Sequence, residues 1–268
     1  MKIYQIYYDK SSEQLLDNSF IPFDNSKAIH SEWYEYSAIR EIFKNNTFAP
    51  QEYVGVLSPK FFSKTGLSGK EVIRCVEKST ADIISFSPHF SQIALFKNPF
   101  TQGDHYHKGL LDTSQKLFNL IGLNINLEHL VTDQTRAIYS HYFIAKHSFW
   151  LEYLKFSEKI FDITLGNSEV AFELNSNVNY KNKNVQLKVF IMERLVSALL
   201  ENLNINAQIG YSYKNYSKRH SNNAVFTEFL IIDSFKTLFL KTKRSYYMDL
   251  YLKNSQRVVS RLNSNKKQ

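Results

Sequence analysis

Short apolar segments alternate with amphipathic helical segments over the first third of the chain. Lys2–Tyr8 (KIYQIYY), Tyr53–Ser58 (YVGVLS) and Ala81–Phe86 (ADIISF) are rich in β-branched and aromatic residues, and each is followed by a turn or a proline, as strands are. Glu32–Lys44 and Gly69–Lys78 lie between them and carry apolar residues at helical spacing. Strands that alternate with helices form parallel sheets with crossover helices, so the pattern predicts an α/β fold.

The second half of the chain is less regular. Two polar stretches, Lys97–Gly109 and Asn175–Asn184, are predicted to be loops, and the second is typical of surface loops that close over ligands. The other predicted elements are a helix at Leu110–Ile121, a strand at Ala137–Ala145, a helix from Ser148, and either a strand or a short buried helix at Ala224–Ile232.

Val189–Asn204 (VFIMERLVSALLENLN) is predicted to be a core helix, because its apolar residues recur at the spacing of one buried stripe. Glu193 and Arg194 interrupt that stripe near the predicted first turn, where free backbone amides and the helix dipole can meet an anion. A surface ion pair on an ordinary helix is the alternative interpretation.

The tail from Lys241 is predicted to be a basic amphipathic helix. It mixes lysines and arginines with tyrosines, leucines and valines. Three interpretations stay open. The helix binds the phosphates and stacks on the bases of a nucleic acid, it lies on an anionic inner membrane, or it packs on its own domain.

Composition narrows the class of protein only partly. The chain has 268 residues, enough for one large domain with a small appendage. Its single cysteine, Cys75, excludes an internal disulfide and a cysteine-rich zinc site, and it favours a cytoplasmic location. We find neither a signal peptide nor a run of roughly 20 apolar residues that could span a membrane. The net charge of +8 favours an anionic partner.

Two familiar catalytic patterns are missing. No Gly-x-Ser-x-Gly elbow occurs, and the cysteine lies in a predicted helix, so the sequence shows no candidate nucleophile for a hydrolase. GLSGKE departs from the phosphate-binding loop, because its glycines are too close together and Glu71 follows the lysine. Ser68 and Glu71 instead predict a capping box. Lys60 and Lys64 remain as basic residues just past a strand end.

Histidines and tyrosines supply the other candidate side chains. His105 and His107 lack a further metal-ligand cluster at diagnostic spacing, so we expect them to bind a phosphate, a sugar or nothing. On a strand, Tyr139 and His141 would share one face and Tyr142 the other, which suits either a pocket or a half-buried strand.

Several segments together resemble the serial blocks of bacterial glycosyltransferases that build capsule and lipopolysaccharide. They are, in order, IPFDNS, EWYEYSAIR, YVGVLSPKFFSKTGL, ADIISFSP, YSHYFIAKHSFWLEYL and FIMERLVSALL. The resemblance covers roughly residues 1–204. It implies an A-type fold, with a Rossmann-like, mostly parallel sheet and flanking helices. Residues 1–240 would form this domain, with a donor half to about 125 and an acceptor half from 126, followed by the tail 241–268.

The resemblance also implies a donor site for a UDP-, GDP- or CMP-linked sugar. A metal-binding Asp-x-Asp would fall at Ser87–His89, but the chain has none anywhere, so no metal ligand is assigned and dependence on Mg²⁺ or Mn²⁺ is in doubt. Cationic side chains would then offset the charge of the diphosphate. The implied donor-site residues are Tyr7, Tyr8, Asp9, Asp24, Lys60, Lys64, Ser87, His89 and Arg194.

The acceptor half would supply the catalytic base. Glu193 fits the position of an acid that deprotonates the acceptor hydroxyl, with Asp133 in reserve. The acceptor would be a glycan or a lipid-linked glycan, and the tail would hold the enzyme against the inner membrane. A non-catalytic nucleic-acid-binding or envelope-assembly protein is the alternative, with nucleic acid the less favoured partner. The implied sugar-site residues are His105, His107, Tyr139, His141 and Tyr142.

Overall fold

A computed structural model describes residues 1–180, 183–203, 205–219 and 226–265 as a mixed α/β fold with a six-stranded sheet and a separate two-stranded hairpin. The strands are β1 (Lys2–Tyr7), β2 (Ile21–Asp24), β3 (Tyr53–Leu57), β4 (Ile83–Ser85), β5 (Phe143–Lys146), β6 (Asn177–Tyr180), β7 (Lys183–Gln186) and β8 (Ala207–Ile209).

Helices surround this sheet, and a 3-10 turn at Ser31–Trp33 precedes the second of them. They are α1 (Lys10–Glu13), α2 (Glu35–Asn45), α3 (Phe61–Thr65), α4 (Gly69–Glu77), α5 (Phe90–Leu95), α6 (Pro99–Tyr106), α7 (Leu110–Ile121), α8 (His147–Thr164), α9 (Glu169–Asn175), α10 (Leu187–Met192), α11 (Leu195–Asn202), α12 (Tyr213–Arg219), α13 (Phe226–Thr242) and α14 (Ser245–Asn265).

The sheet is mostly parallel, in the order β2-β1-β3-β5-β4-β8. β5 alone of these strands runs antiparallel, between β3 and β4. The residues that lead into β5 therefore lie at the edge where the parallel strands end. Apolar residues on alternate strand positions enter two separate cores, one on each face of the sheet. The predicted α/β class is confirmed, and the architecture is compatible with a Rossmann-like fold.

The predictions for the first third of the chain are confirmed. The three predicted strands, α2 and α4 lie within a few residues of their predicted bounds. The Ser68 hydroxyl accepts from the Glu71 amide, and the Ser68 amide donates to the Glu71 carboxylate at 2.9 Å, which completes the capping box. The short α1, β2 and α3 were missed, because their few residues carry no periodic signal.

Three predictions for the middle of the chain are wrong. Lys97–Gly109 is mostly helix α6, because the Asn98 side chain caps its first turn and Pro99 takes the position where no amide donor is needed. Asn175–Asn184 contains β6 and the first half of its antiparallel partner β7, with residues 181 and 182 outside the described part. In Ala137–Ala145 only the last three residues are strand, and Ser140 has a positive φ of 55°.

The predicted helix Val189–Asn204 is also wrong as a single element. α10 ends at Met192, Glu193 and Arg194 form a turn, and α11 begins at Leu195, while residue 204 lies outside the described part. Apolar spacing continues across the turn because both helices pack into the same core. The charged pair therefore lies between two helices, with Arg194 as the N-cap of the second.

The two C-terminal helices pack against each other and against α5. Ala224–Ile232 lies mainly in α13, so its helical alternative is the one observed, with residues 224 and 225 outside the described part. The predicted helical tail is α14, and its Tyr251 hydroxyl donates to the Leu95 carbonyl at 3.0 Å. Residue 240 lies within α13, and the division of the chain at that point stays a prediction.

Candidate functional site

A cavity of about 440 Å³ is lined by Glu193, the predicted catalytic acid, whose pKa is strongly raised. It lies where the parallel strands end, because residues that follow β3 and β4 line it together with residues that lead into β5. Ligands of open α/β sheets bind at this edge. Its lining comprises Lys64, His89, Gln92, Gln102, Tyr106, His107, Tyr139, Ser140, Asn179, Phe190, Glu193 and Arg194.

A larger cavity, of about 760 Å³, lies between α2 and α8. Its central charges neutralise each other, because the Arg40 guanidinium donates to both carboxylate oxygens of Glu158, at 2.7 and 2.8 Å. The Tyr36 hydroxyl donates to the same carboxylate. We therefore regard the smaller cavity as the candidate site, since its acid is not neutralised in this way.

Glu193 is a carboxyl group whose pKa is raised to about 7. Burial is the main cause, and the nearby Glu35 carboxyl raises the pKa further. The Arg194 guanidinium, 3.9 Å away, and a hydrogen bond from Ser140 act in the opposite direction. A carboxyl group with such a pKa can exchange a proton near neutral pH.

Arg194 is buried and joins three segments around the cavity. Its Nε donates to the Pro99 carbonyl at 2.8 Å, one terminal nitrogen donates to the Phe190 carbonyl at 2.6 Å, and the other donates to Gln102 Oε1 at 2.6 Å. The guanidinium therefore ties the turn before α11 to the start of α6. It also brings a fixed positive charge beside Glu193.

Glu35 is a second, half-buried acid near Glu193, at the start of α2. Burial raises its pKa, while the nearby Tyr8 and Ser58 hydroxyls and the charge of Lys60 work against that rise. The Tyr8 hydroxyl lies beside this carboxyl without meeting full hydrogen-bond geometry. Residues that follow β1 and β3 therefore surround Glu35.

Tyr139 connects the end of β4 to the cavity. Its amide donates to Ser87 Oγ at 3.3 Å, and its ring meets the His89 ring edge to face at 5.7 Å. The Arg194 guanidinium lies 6.0 Å from the ring centre. Within the described part of the chain, the buried Tyr139 hydroxyl has no hydrogen-bond partner, so it is a donor available to a ligand.

The residues around the end of β1 have local partners. The Asp9 carboxylate caps α1 by accepting from Ser11 and Ser12, and these bonds lower its pKa to about 2. Asp24 accepts from the Ser26 amide at 2.9 Å. Tyr7 pairs with Asp24 across β1 and β2. Partial burial is the main reason that the pKa of Tyr7 is raised, and the charge of Asp24 raises it further. None of the three lines the cavity of Glu193.

The predicted sugar-site residues divide into two groups. His107 and Tyr139 line the cavity, and the His107 ring stacks on Phe190 at 4.0 Å. Burial, with the charge of Arg194, lowers the pKa of His107. His105, His141 and Tyr142 lie outside the lining. The expectation that Tyr139 and His141 share a strand face is wrong, because the backbone there is not a strand.

His141 and Asp133 have other surroundings. Burial lowers the pKa of His141 to about 4, and its Nε2 lies 3.0 Å from the Tyr153 hydroxyl. Asp133 lines a different cavity and accepts from Thr135 and Thr237. The structure therefore does not bring the reserve base to the site of Glu193.

Six polar residues at or beside the site were not predicted from the sequence, and they come from several segments of the chain. Their contacts depend on tertiary packing, so periodicity carries no signal for them. Only Glu35, as an acid at the start of an amphipathic helix, had a recognisable local pattern. The missed residues are Gln92, Gln102, Tyr106, Ser140 and Asn179 in the lining, and Glu35 beside it.

Within the described residues, no group of three or more His, Cys, Asp or Glu side chains is placed to hold a metal ion. No described helix has the length and apolar character that a membrane span needs. Comparison of the chain with protein-family models, with curated proteins and with solved structures gave no match.

Proposed function

We propose that this protein is a glycosyltransferase that moves a sugar from a nucleotide-sugar donor to a growing capsular or lipopolysaccharide glycan. The observation that carries the proposal is the Glu193 carboxyl, whose pKa is raised to about 7 in a cavity at the carboxyl edge of the sheet. The ordered sequence blocks that resemble those of such transferases support the same class. The proposal includes an A-type fold, as a finer description of the observed α/β architecture.

Glu193 acts as the general base in this proposal. Its carboxylate takes the proton of the acceptor hydroxyl, the acceptor oxygen bonds to the anomeric carbon, and the bond from that carbon to the phosphate oxygen of the donor breaks. The nucleotide leaves with the electron pair, as a diphosphate for a UDP- or GDP-linked donor and as CMP for a CMP-linked one. A pKa near neutrality suits this step, because the group is both available as a carboxylate and basic enough to take a proton.

Cationic side chains stabilise the leaving diphosphate. Arg194 and Lys64 line the cavity, and Lys60 lies near Glu35. Their positive charge supports departure of the diphosphate, whether or not a divalent cation accompanies the donor. Arg194 contributes mainly by its fixed charge, since three of its donors are bonded to the protein.

Aromatic side chains in the same cavity suit a sugar. The stacked pair His107 and Phe190 and the ring of Tyr139 provide apolar faces beside polar groups. Gln92 and Asn179 add amide groups that can bond to hydroxyls. Such a lining favours a ligand with many hydroxyl groups over a purely apolar one.

Calorimetry with UDP, GDP and CMP ligands, each with and without Mn²⁺, tests the proposal. We expect one nucleotide class to bind, and we expect Glu193→Gln to keep that binding while turnover of the matching nucleotide-sugar falls by about 100-fold or more. Glu128→Gln, at an exposed acid outside the cavity, is the matched control and should change neither. Absence of binding to every nucleotide would contradict the proposal.

A further inference from the structure

The apolar side of α14 is covered by the rest of the protein. Tyr251 and Val258 are buried in the same core as α5 and α13, and the Tyr251 hydroxyl donates to the Leu95 carbonyl. This side of the helix therefore cannot enter a bilayer without local unfolding. An attachment surface on the C-terminal helices has to be formed by other residues.

α13 presents an apolar stripe on its outer side. Ile231, Phe235 and Leu238 follow one another at intervals of four and three residues, so they share one helix face. Ile231 and Leu238 are 46% and 37% exposed, and Phe235 is half-buried. We call these three residues the α13 stripe.

Basic residues border the α13 stripe along one side. Glu228 lies one turn before Ile231, and it accepts from the Arg261 guanidinium, with Arg257 3.6 Å away. Arg257 and Arg261 of α14 therefore lie beside the Glu228 end of the stripe. The two arginines carry two positive charges, against the single negative charge of the Glu228 carboxylate.

A second basic group lies at the end of the stripe. Lys241, Lys243 and Arg244 are exposed at the junction of α13 and α14, followed by Tyr246, which is 62% exposed. Lys241 and Lys243 also line a cavity of about 440 Å³, large enough for a lipid headgroup. The acids on its wall are bonded to protein side chains, Asp133 to Thr237 and Glu201 to Arg136.

We propose that the α13 stripe and its basic border bind the surface of an anionic lipid bilayer. Exposed aliphatic side chains flanked by lysine and arginine are the features with which a helix lies in the interface of such a membrane. The apolar stripe favours binding to a bilayer over binding to a nucleic acid, because a nucleic acid has no apolar interior into which the stripe can insert. The surface is separate from the cavity of Glu193, so the inference does not depend on the proposed function.

Flotation of the full chain with lipid vesicles tests the inference. We expect binding to vesicles of phosphatidylcholine mixed with phosphatidylglycerol, and little binding to phosphatidylcholine alone. Replacement of Lys241, Lys243 and Arg244 by Gln should weaken the binding by about 100-fold, since each basic residue near an anionic surface contributes a factor of about five. The pair Ile231→Ser and Leu238→Ser should weaken it by about tenfold.

The control variant carries Leu120→Ser and Lys44→Gln, which change an exposed leucine and an exposed lysine outside the C-terminal helices. We expect it to bind like the unmodified protein. Equal binding to both kinds of vesicle, or equal loss in the control, would overturn the inference. Analytical ultracentrifugation without lipid gives a further criterion, because a dimer that Ile231→Ser abolishes would assign the stripe to a second copy of the chain.

Discussion

Glu193 shows how one residue acquires chemistry from its surroundings. The carboxyl lies in a turn between two buried helices, where desolvation dominates over the attraction of Arg194. Desolvation favours the neutral acid, so the proton is held to a higher pH than on an exposed glutamate. The same side chain on the surface of a continuous helix would titrate in the ordinary range.

Glu193 should change its protonation state near neutral pH. Its carboxyl should gain its negative charge as the pH rises through about 7, so any activity that requires the carboxylate should rise over that range. Glu35→Gln removes a negative neighbour, and the pKa of Glu193 should therefore fall. Carbon-detected NMR of the glutamate carboxyls measures both values.

Glu128→Gln, an exposed substitution, serves as the control and should leave the Glu193 titration in place. A Glu193 that titrates near the value of an exposed glutamate would show that the turn is not desolvated. An unchanged titration in Glu35→Gln would show that the two acids do not interact.

At the scale of elements, the site depends on how closely α6 approaches the turn at Glu193–Arg194. Gly103 permits the approach, because a Cβ there would lie 2.9 Å from Arg194 Nε and 2.8 Å from a Leu110 methyl. The Arg194 guanidinium then reaches the carbonyl of Pro99, which begins α6. An arginine in a turn thus holds two helices that are distant in sequence.

Gly103→Ala should displace Arg194 and loosen this connection. We expect a loss of about 1–3 kcal/mol in the free energy of unfolding, as for other overpacked sites, together with weaker ligand binding in the cavity. Denaturant unfolding measures the first effect and calorimetry the second.

Gly166→Ala is the matched control, because its Cβ would meet only the Ile163 carbonyl oxygen at 3.4 Å. That substitution should change stability by about 0.5 kcal/mol or less. Equal stability of the two variants would mean that α6 adjusts to the added methyl group and that its close approach is not required.

For the whole molecule, a buried charge cluster connects α13 to α5 and to the segment around Thr132. The Lys236 ammonium is fully buried and donates to the carbonyls of Thr132, Phe96 and Ile93, the first two at 2.7 and 3.1 Å. Asp233 Oδ1 lies 3.3 Å away. Burial lowers the pKa of Lys236, and the neighbouring carboxylate partly opposes this shift.

Lys236→Met should destabilise the protein by about 3–5 kcal/mol, because it leaves Asp233 buried without its partner. Asp233→Asn in the same chain should recover part of that loss by removing the unpaired charge. Chemical unfolding measures both, with the exposed Lys253→Met as a control that should be neutral. A neutral Lys236→Met would show that the cluster does not hold the C-terminal helices in place.

The α/β class and the N-terminal strands were predictable from the sequence alone. Strand-forming residues bounded by Asp9, Pro59 and Pro88, and the Ser68 cap, are local signals that act over a few residues. The importance of Glu193 was inferred from a resemblance, and the assignment of a catalytic role to it stays a prediction.

Tertiary structure decided which residues form the cavity. It split the apparent helix at Glu193, turned the 97–109 stretch into α6, and brought Glu35 near Glu193 from a segment far away in sequence. Hydrophobic periodicity reports which residues are buried, but not which buried segments meet. Contacts between distant segments arise only when the sheet and its helices pack, and the raised pKa of Glu193 is a property of that packing.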